Sequence, residues 1–435
     1  MDTPAPSPHT SQNPHPRQPG AGEIDVELNE KEHRYPVEFR GRGSEYFKIW
    51  IVNVALTIIT FYVYSAWAKV RNKRYFYGNT YVDNSSFDYH ALGGQIFTGR
   101  VIAILVLILV SIVGAFFPIA QIVFYVLLLL LIPWIIWRSI IFNARMSSYR
   151  NVRYGFTKRV GGLYWAILKC ILVTMLILAL VVGAFLLVMK VVTGDTSSSA
   201  IMPTIWQMII ASLVLLIPAV TPWLHRNLNH FALNGYRFGT ANFKANLSTG
   251  KYYAAYIGSM AVAMGLYILF ALPFVIAGFI FRDGIPGIGP IDQLMDRIEG
   301  ALQPGSPHFP LVLAVAAFFY LLLIFIGLVS SAYLRAKLRN YRYQQTIVGD
   351  RVRVQSTVRT WPFAWLLFTN LLLVVVTVGF ALPWTRVRVA RFLAANTMVT
   401  SKGTLDGIVS VEEKRISSLG DELGEAFDVD FELGL

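Results

Sequence analysis

The chain has 435 residues, 55% of them hydrophobic and 14% charged, with a formal charge of +13 and a single cysteine, Cys170. A soluble domain carries roughly 25% charged residues, and here the deficit is concentrated in nearly uncharged blocks long enough to cross ~30 Å of hydrocarbon. The lone cysteine excludes an intramolecular disulfide framework or a cysteine-based zinc site. The cations flank apolar runs, as membrane insertion requires, so the basic charge does not point to nucleic acid.

Residues 1–35 form a Pro/Ser-rich stretch read as a disordered tail. They hold no apolar signal region, so targeting is expected to fall to the first membrane segment. The membrane domain is assigned to 36–408. Eight apolar segments stand out in it, near 45–66, 98–118, 119–138, 163–190, 204–224, 251–281, 310–332 and 362–384. The expected fold is therefore an all-α polytopic bundle. The second and third segments are nearly continuous, joined at Phe116, Phe117 and Pro118, where proline favours a tight turn.

Four connections carry most of the charge: 67–100, 138–159, 225–251 and 333–360. Each has an Arg-rich helix end, then short polar and aromatic alternation around Gly or Asn, as in YRNVRYGFTKRVGG (149–162). Such alternation reads as small β-hairpins, or else as plain structured loops. The opposite connections hold few cations (Lys190, Arg282, Arg297), so the four basic loops are expected in the cytoplasm. In the loop 282–309, IDQLMDRIEGAL reads as a short amphipathic surface helix. The final stretch, 409–435, is an acidic tail.

WAKVRNKRYFYGNT (67–80) and WTRVRVARFLAANT (384–397) align without a gap. Asn53, Thr60, Trp67, Arg71 and Arg74 fall over Asn370, Thr377, Trp384, Arg388 and Arg391, and Lys69 over Arg386. This reads as an internal repeat of the first and last membrane segments. The indoles Trp67 and Trp384 suit the headgroup level. The cations Lys69, Arg71, Arg74, Arg386, Arg388 and Arg391 suit anionic lipid headgroups. The membrane-embedded polar candidates are Asn53, Thr60, Asn370 and Thr377. An amide in an apolar run needs a partner, so each Asn is either helix–helix glue or part of a polar pathway. Both terminal segments have cations before and after them. They are either simple spans or broken, re-entrant helices, with the break near Thr60–Ser65 and Thr377–Pro383.

GRGSEYFKIWIVNVALTIIT followed by YSAWAKVRNKRYFYGNT resembles the signature of the YjgN-like family of bacterial inner-membrane proteins, a domain of unknown function. The resemblance covers roughly 36–408. It implies a multi-pass inner-membrane location and carries over no catalytic residue.

No P-loop, HExxH or GxSxG motif is present, and His225 and His230 do not share a helical face. No catalytic residue, metal or cofactor is expected, and the chain is not read as an enzyme. No carboxylate lies in the apolar cores, which argues against an ion-coupled pump. A transporter or channel for a small solute or lipid remains, or else a non-transporting envelope or signalling scaffold. Protein partners and oligomeric state are not legible.

Overall fold

A computed structural model of the protein describes residues 32–193, 198–280, 300, 303, 306–406 and 409. Among the described residues ten helices and ten strands alternate in pairs. In chain order they are β1 (Glu32–Phe39), α1 (Gly43–Ile59), α2 (Ser65–Gly78), β2 (Thr80–Val82), β3 (Ser85–Tyr89), α3 (Gly93–Phe116) and α4 (Pro118–Arg145). There follow β4 (Ser147–Tyr149), β5 (Val152–Phe156), α5 (Val160–Thr193), α6 (Ser198–Leu233), β6 (Tyr236–Phe238), β7 (Ala241–Ala245) and α7 (Thr249–Ile280). The last are α8 (Phe309–Gln344), β8 (Thr346–Val348), β9 (Val352–Ser356), α9 (Thr360–Val376), α10 (Leu382–Ala395) and β10 (Thr397–Lys402).

The strands do not stay separate hairpins. They close into one antiparallel ten-stranded barrel, which corrects the all-α expectation while leaving the protein mostly helical. Four hairpins come from the four basic connections. The fifth is made by the two ends of the chain, with Arg34 opposite Thr400 and Tyr35 opposite Val399. Strands this short have no stability alone, and closure satisfies every edge. Residues 32–35 belong to strand β1. The acidic tail beyond Val409 and the amphipathic stretch 291–302, apart from Gly300, lie outside the described residues.

All five connections are built alike. At four of them a hydroxyl at the first strand residue donates to the carbonyl four residues back: Thr80 to Phe76, Ser147 to Asn143, Thr346 to Arg342 and Thr397 to Leu393, at 2.6–2.8 Å. At the remaining one Asn234 Nδ2 does this, donating to the His230 and Ala245 carbonyls at 2.9 Å. Two residues after each hairpin, a carbonyl is held by a side chain of the preceding helix. The pairs are Arg74–Ala91, Trp137–Lys158, Arg226–Leu247, Asn340–Val358 and Arg391–Gly41. These bonds satisfy backbone groups that the turn from strand to helix would leave unpaired. The fourth residue of each outgoing helix is a large apolar anchor. Tyr46, Leu163, Tyr252 and Phe363 are buried, and Ile96 packs on a buried cluster.

Around the barrel each helix touches the next, and α10 touches α1, so the helices form a closed ring. Five of them are long and apolar enough to cross a membrane, and the bent α6 makes a sixth if taken as one span. These six match the central segments of the sequence reading, including the turn at Phe117. The first and last apolar segments behave differently. α1 and α9 are 17 residues each, or ~25 Å of helix, and each then turns back to the barrel.

Candidate functional site

The two reversals have the same construction. In each, a helix ends in a Schellman motif. The Phe61 N–H bonds Ile58 O and the Tyr62 N–H bonds Thr57 O; the Val378 N–H bonds Val375 O and the Gly379 N–H bonds Val374 O. Phe61 and Val378 take positive φ, +46° and +48°, a costly state for a branched side chain. The threonines hold it. Thr60 Oγ1 donates to Leu56 O at 2.7 Å and accepts from the Tyr64 N–H at 2.9 Å. Thr377 Oγ1 donates to Leu373 O at 2.6 Å and accepts from the Ala381 N–H at 2.9 Å. Thr60 and Thr377 are thus turn-building groups. Pro383 falls in the first turn of α10, where proline suits a helix start; the break lies ahead of it, at Thr377–Gly379.

The buried amides brace the hairpins. Asn53 Oδ1 accepts from Arg71 Nη1 at 3.3 Å, and Asn53 Nδ2 donates to Asn72 Oδ1 at 3.1 Å. Asn370 Oδ1 accepts from Arg388 Nη1 at 2.8 Å, and its Nδ2 reaches Thr385 O at 3.5 Å. Tyr75 near the end of α2 bonds the Arg42 backbone just ahead of α1. Phe363 at the start of α9 stacks on Phe392 near the end of α10. Each pair of helices is therefore folded back on itself.

Trp67 and Trp384 pack on the first glycine of a neighbouring helix. A Cβ at Gly93 would lie 2.3 Å from Trp67 Cδ1, and one at Gly43 would lie 2.3 Å from Trp384 Cδ1. No other residue type fits there without moving an indole. Arg386 donates to Tyr46 OH, Lys69 is exposed, and Arg71 also donates to Tyr64 OH at 3.1 Å. The ion pairs of the described residues involve Arg40, Arg42, Arg150 and Lys244. None of the six cations singled out in the two matching stretches is paired with a carboxylate among the described residues.

The barrel lumen supplies a second site, which the sequence reading did not isolate. Val82, Tyr149, Val152, Phe238 and Val348 point inward and form a buried apolar cluster with Leu405 and Val409. A cavity of about 870 Å³ lies among them. On the helix side it is bounded by Phe76, Leu393, Ala394, Arg339 and Tyr343. Burial pushes the Tyr149 hydroxyl up to about 12, with the nearby Arg150 opposing, and pushes Tyr154 up as well. Both stay neutral at physiological pH; the charged residues that line the cavity are Arg339, Lys244, Asp350 and Arg351.

Of these, Arg339 lies on the helix side. Its Nη2 donates to Thr397 Oγ1 at 2.9 Å, and its guanidinium lies 4.4 Å from the centre of the Tyr343 ring. Its buried Nε has no partner among the described residues. A signal for the lumen was present in the sequence: each hairpin turn is preceded by a large apolar residue, Val82, Tyr149, Phe238 or Val348.

At the turn end, beyond β10, the chain bends at Gly403 (φ +85°) and buries Leu405 and Val409. Between them Asp406 accepts from Arg150, which also bonds Asp83 Oδ2 at 2.8 Å and Ser85 Oγ at 2.8 Å. Arg150 and Asp83 belong to hairpin turns, so this latch sits at the mouth farthest from the helices. Among the described residues no group of His, Cys, Asp and Glu is placed to hold a metal. His225 instead bonds Tyr256 OH at 3.0 Å.

Long apolar helices rooted in one polar, basic barrel define a multi-pass helical membrane protein. The chain belongs to the family of bacterial proteins of unknown function DUF898, whose model matches residues 34–426. It is similar to the inner membrane protein YjgN of Salmonella typhimurium strain LT2, 26% identical over 391 residues, covering 88% of this chain and 92% of that protein. The YjgN proteins of Escherichia coli O157:H7 and K12 are each 27% identical over 384 residues, covering 86% of this chain and 90% of theirs. No solved structure matches.

Proposed function

We propose that this is a bacterial inner-membrane protein that handles a lipid-like amphiphile and does not conduct small polar solutes. One observation carries the reading. Ile104 to Leu109 are six consecutive residues of α3, and all are exposed. At 100° per residue they cover every face of the helix, so both the outward and the ring-facing sides are apolar. The same holds for Leu129–Ile132 in α4 and Phe318–Leu321 in α8. A water-filled pathway needs a polar stripe facing it, and these helices present none. A helix apolar all round belongs in lipid.

The reading is tested in liposomes with a fluorescent phospholipid and an entrapped water-soluble dye. Purified protein is expected to speed movement of the lipid between leaflets while the dye stays inside. Dye release would overturn the reading in favour of a solute channel. No effect on either would favour the envelope scaffold.

For orientation, the barrel side is assigned to the cytoplasm. Support comes from the basic connections, all at one end of the helices, and from the inner-membrane relatives. β1 and β10 share that barrel, so the first and last strands lie on one side, and the two matching terminal segments act as re-entrant hairpins from one ancestral unit. In a Cys170→Ser background, single cysteines at Ser11, Ser85 and Ser417 should all resist an impermeant thiol reagent in intact cells. Labelling of Ser11 and Ser417 from outside would overturn the re-entrant assignment.

A further inference from the structure

We propose that the barrel lumen is a binding site for the hydrocarbon chain of an anionic single-chain amphiphile, with Arg339 reading its head group. The proposal deepens the lipid-handling reading and rests on it. The cavity of about 870 Å³ is in the size range of small-molecule sites, which are apolar with a few placed polar groups. The strands supply the apolar wall through Phe87, Tyr149, Phe238 and Phe243, all lining it.

Charge then selects the head group. At the helix-side boundary stands one guanidinium whose hydrogen-bonded partner is neutral, Thr397, and whose Nε is buried without an acceptor among the described residues. A guanidinium in that setting lacks a planar or tetrahedral oxyanion, the group it binds best. Of the other charged residues lining the lumen, Lys244 and Asp350 are exposed and paired with each other at 3.0 Å, and Arg351 is exposed at the adjoining hairpin turn, whereas the Arg339 Nε is buried. Leu405 and Val409 pack on the strand cluster at the turn end, where the cavity also borders Gly349, Asp350 and Arg351. The bound amphiphile therefore sets its head group at Arg339 and lays its chain along the aromatic wall of the lumen.

The test uses the full-length protein in an uncharged detergent and a 16-carbon fatty acid bearing a mid-chain diazirine. After irradiation, labelled residues are mapped by peptide mass spectrometry, and competition is measured with unlabelled palmitate and with the uncharged C16 alcohol. Labelling is expected on the barrel strands, with palmitate competing better than the alcohol. Arg339→Gln should cost palmitate about ten- to a hundredfold in affinity, the value of a charged hydrogen bond, and leave the alcohol unchanged. Val399→Trp, which fills the lumen from a lining position, should abolish barrel labelling while the melting temperature is held.

Labelling confined to the long helices and insensitive to Val399→Trp would overturn the barrel site and leave the lipid-handling reading standing. Equal competition by acid and alcohol would overturn the role of Arg339. No labelling anywhere would overturn both readings.

Discussion

Arg150→Ala is expected to loosen the barrel mouth by about 2–4 kcal/mol. The Arg150 side chain is 15% exposed and reaches two other pieces of chain, one hairpin through Asp83 and Ser85 and the segment beyond β10 through Asp406. It joins the first two hairpins to the segment that buries Leu405 and Val409. The Asp83 contact contributes most, because Asp83 is 31% exposed. The Asp406 carboxylate is 81% exposed, so solvent screening discounts that half of the pair. Truncation would leave Asp83 partly buried without its cation.

Backbone geometry adds a second comparison. Arg150 sits at φ +48° and Asn151 at +65°, the left-handed pair that a two-residue hairpin turn requires. Alanine keeps that strain and glycine relieves it by ~1 kcal/mol. Arg150→Gly should therefore be the milder variant, although both lose the same side chain. Trypsin cleavage after the exposed Lys402 reports release of the segment beyond it. In the regime where cleavage follows the open population, the alanine variant should be cut at least ~thirtyfold faster than the parent, the glycine variant several-fold less so. Equal rates for parent and variants would show that the latch holds nothing.

Different parts of this architecture left different traces in the sequence. The long helices were legible because a run of twenty apolar residues has one stable environment. That Asn53 and Asn370 need partners was legible for the same reason, since an amide in such a run demands one, but not whether they serve as glue or line a pathway, because the partners Arg71 and Arg388 lie on the returning helix. The hairpins were visible one at a time, through alternation around Asp83–Asn84 or Gly349–Asp350. Their closure was not. A three-residue strand such as Thr80–Val82 carries no information about which neighbour it joins, and the fifth hairpin is split between Glu32–Phe39 and Thr397–Lys402. Its halves meet only after every helix is in place. Arg339 was hidden for a related reason. In RAKLRNYRY it is one of several cations, and only the assembled ring shows that it borders the lumen.

The two braces look equivalent in sequence but should differ in strength, and a pair of double-mutant cycles measures the difference. Asn370→Leu strips Arg388 of an acceptor at 2.8 Å, leaving it Thr369 Oγ1 at 3.3 Å. Asn370 is 7% exposed, so water replaces the bond poorly, and the expected loss is about 2–3 kcal/mol. Arg388→Met leaves the Asn370 carbonyl oxygen unpaired and should cost ~1–2 kcal/mol. Removing both partners leaves no orphan, so the double variant should be little worse than the milder single one. That corresponds to a coupling of about 2 kcal/mol. At the other hairpin Arg71 lies 3.3 Å from Asn53 Oδ1, is exposed, and has Tyr64 OH at 3.1 Å as an alternative. Asn53 also keeps Asn72. Coupling there should be less than half as large. Thermal unfolding of the purified variants in one detergent measures both cycles. Equal couplings would mean that bond length and exposure do not set the strength of these braces. The expected inequality would make Arg388 a fixed strut of the last hairpin and leave Arg71 the cation free to meet a lipid phosphate.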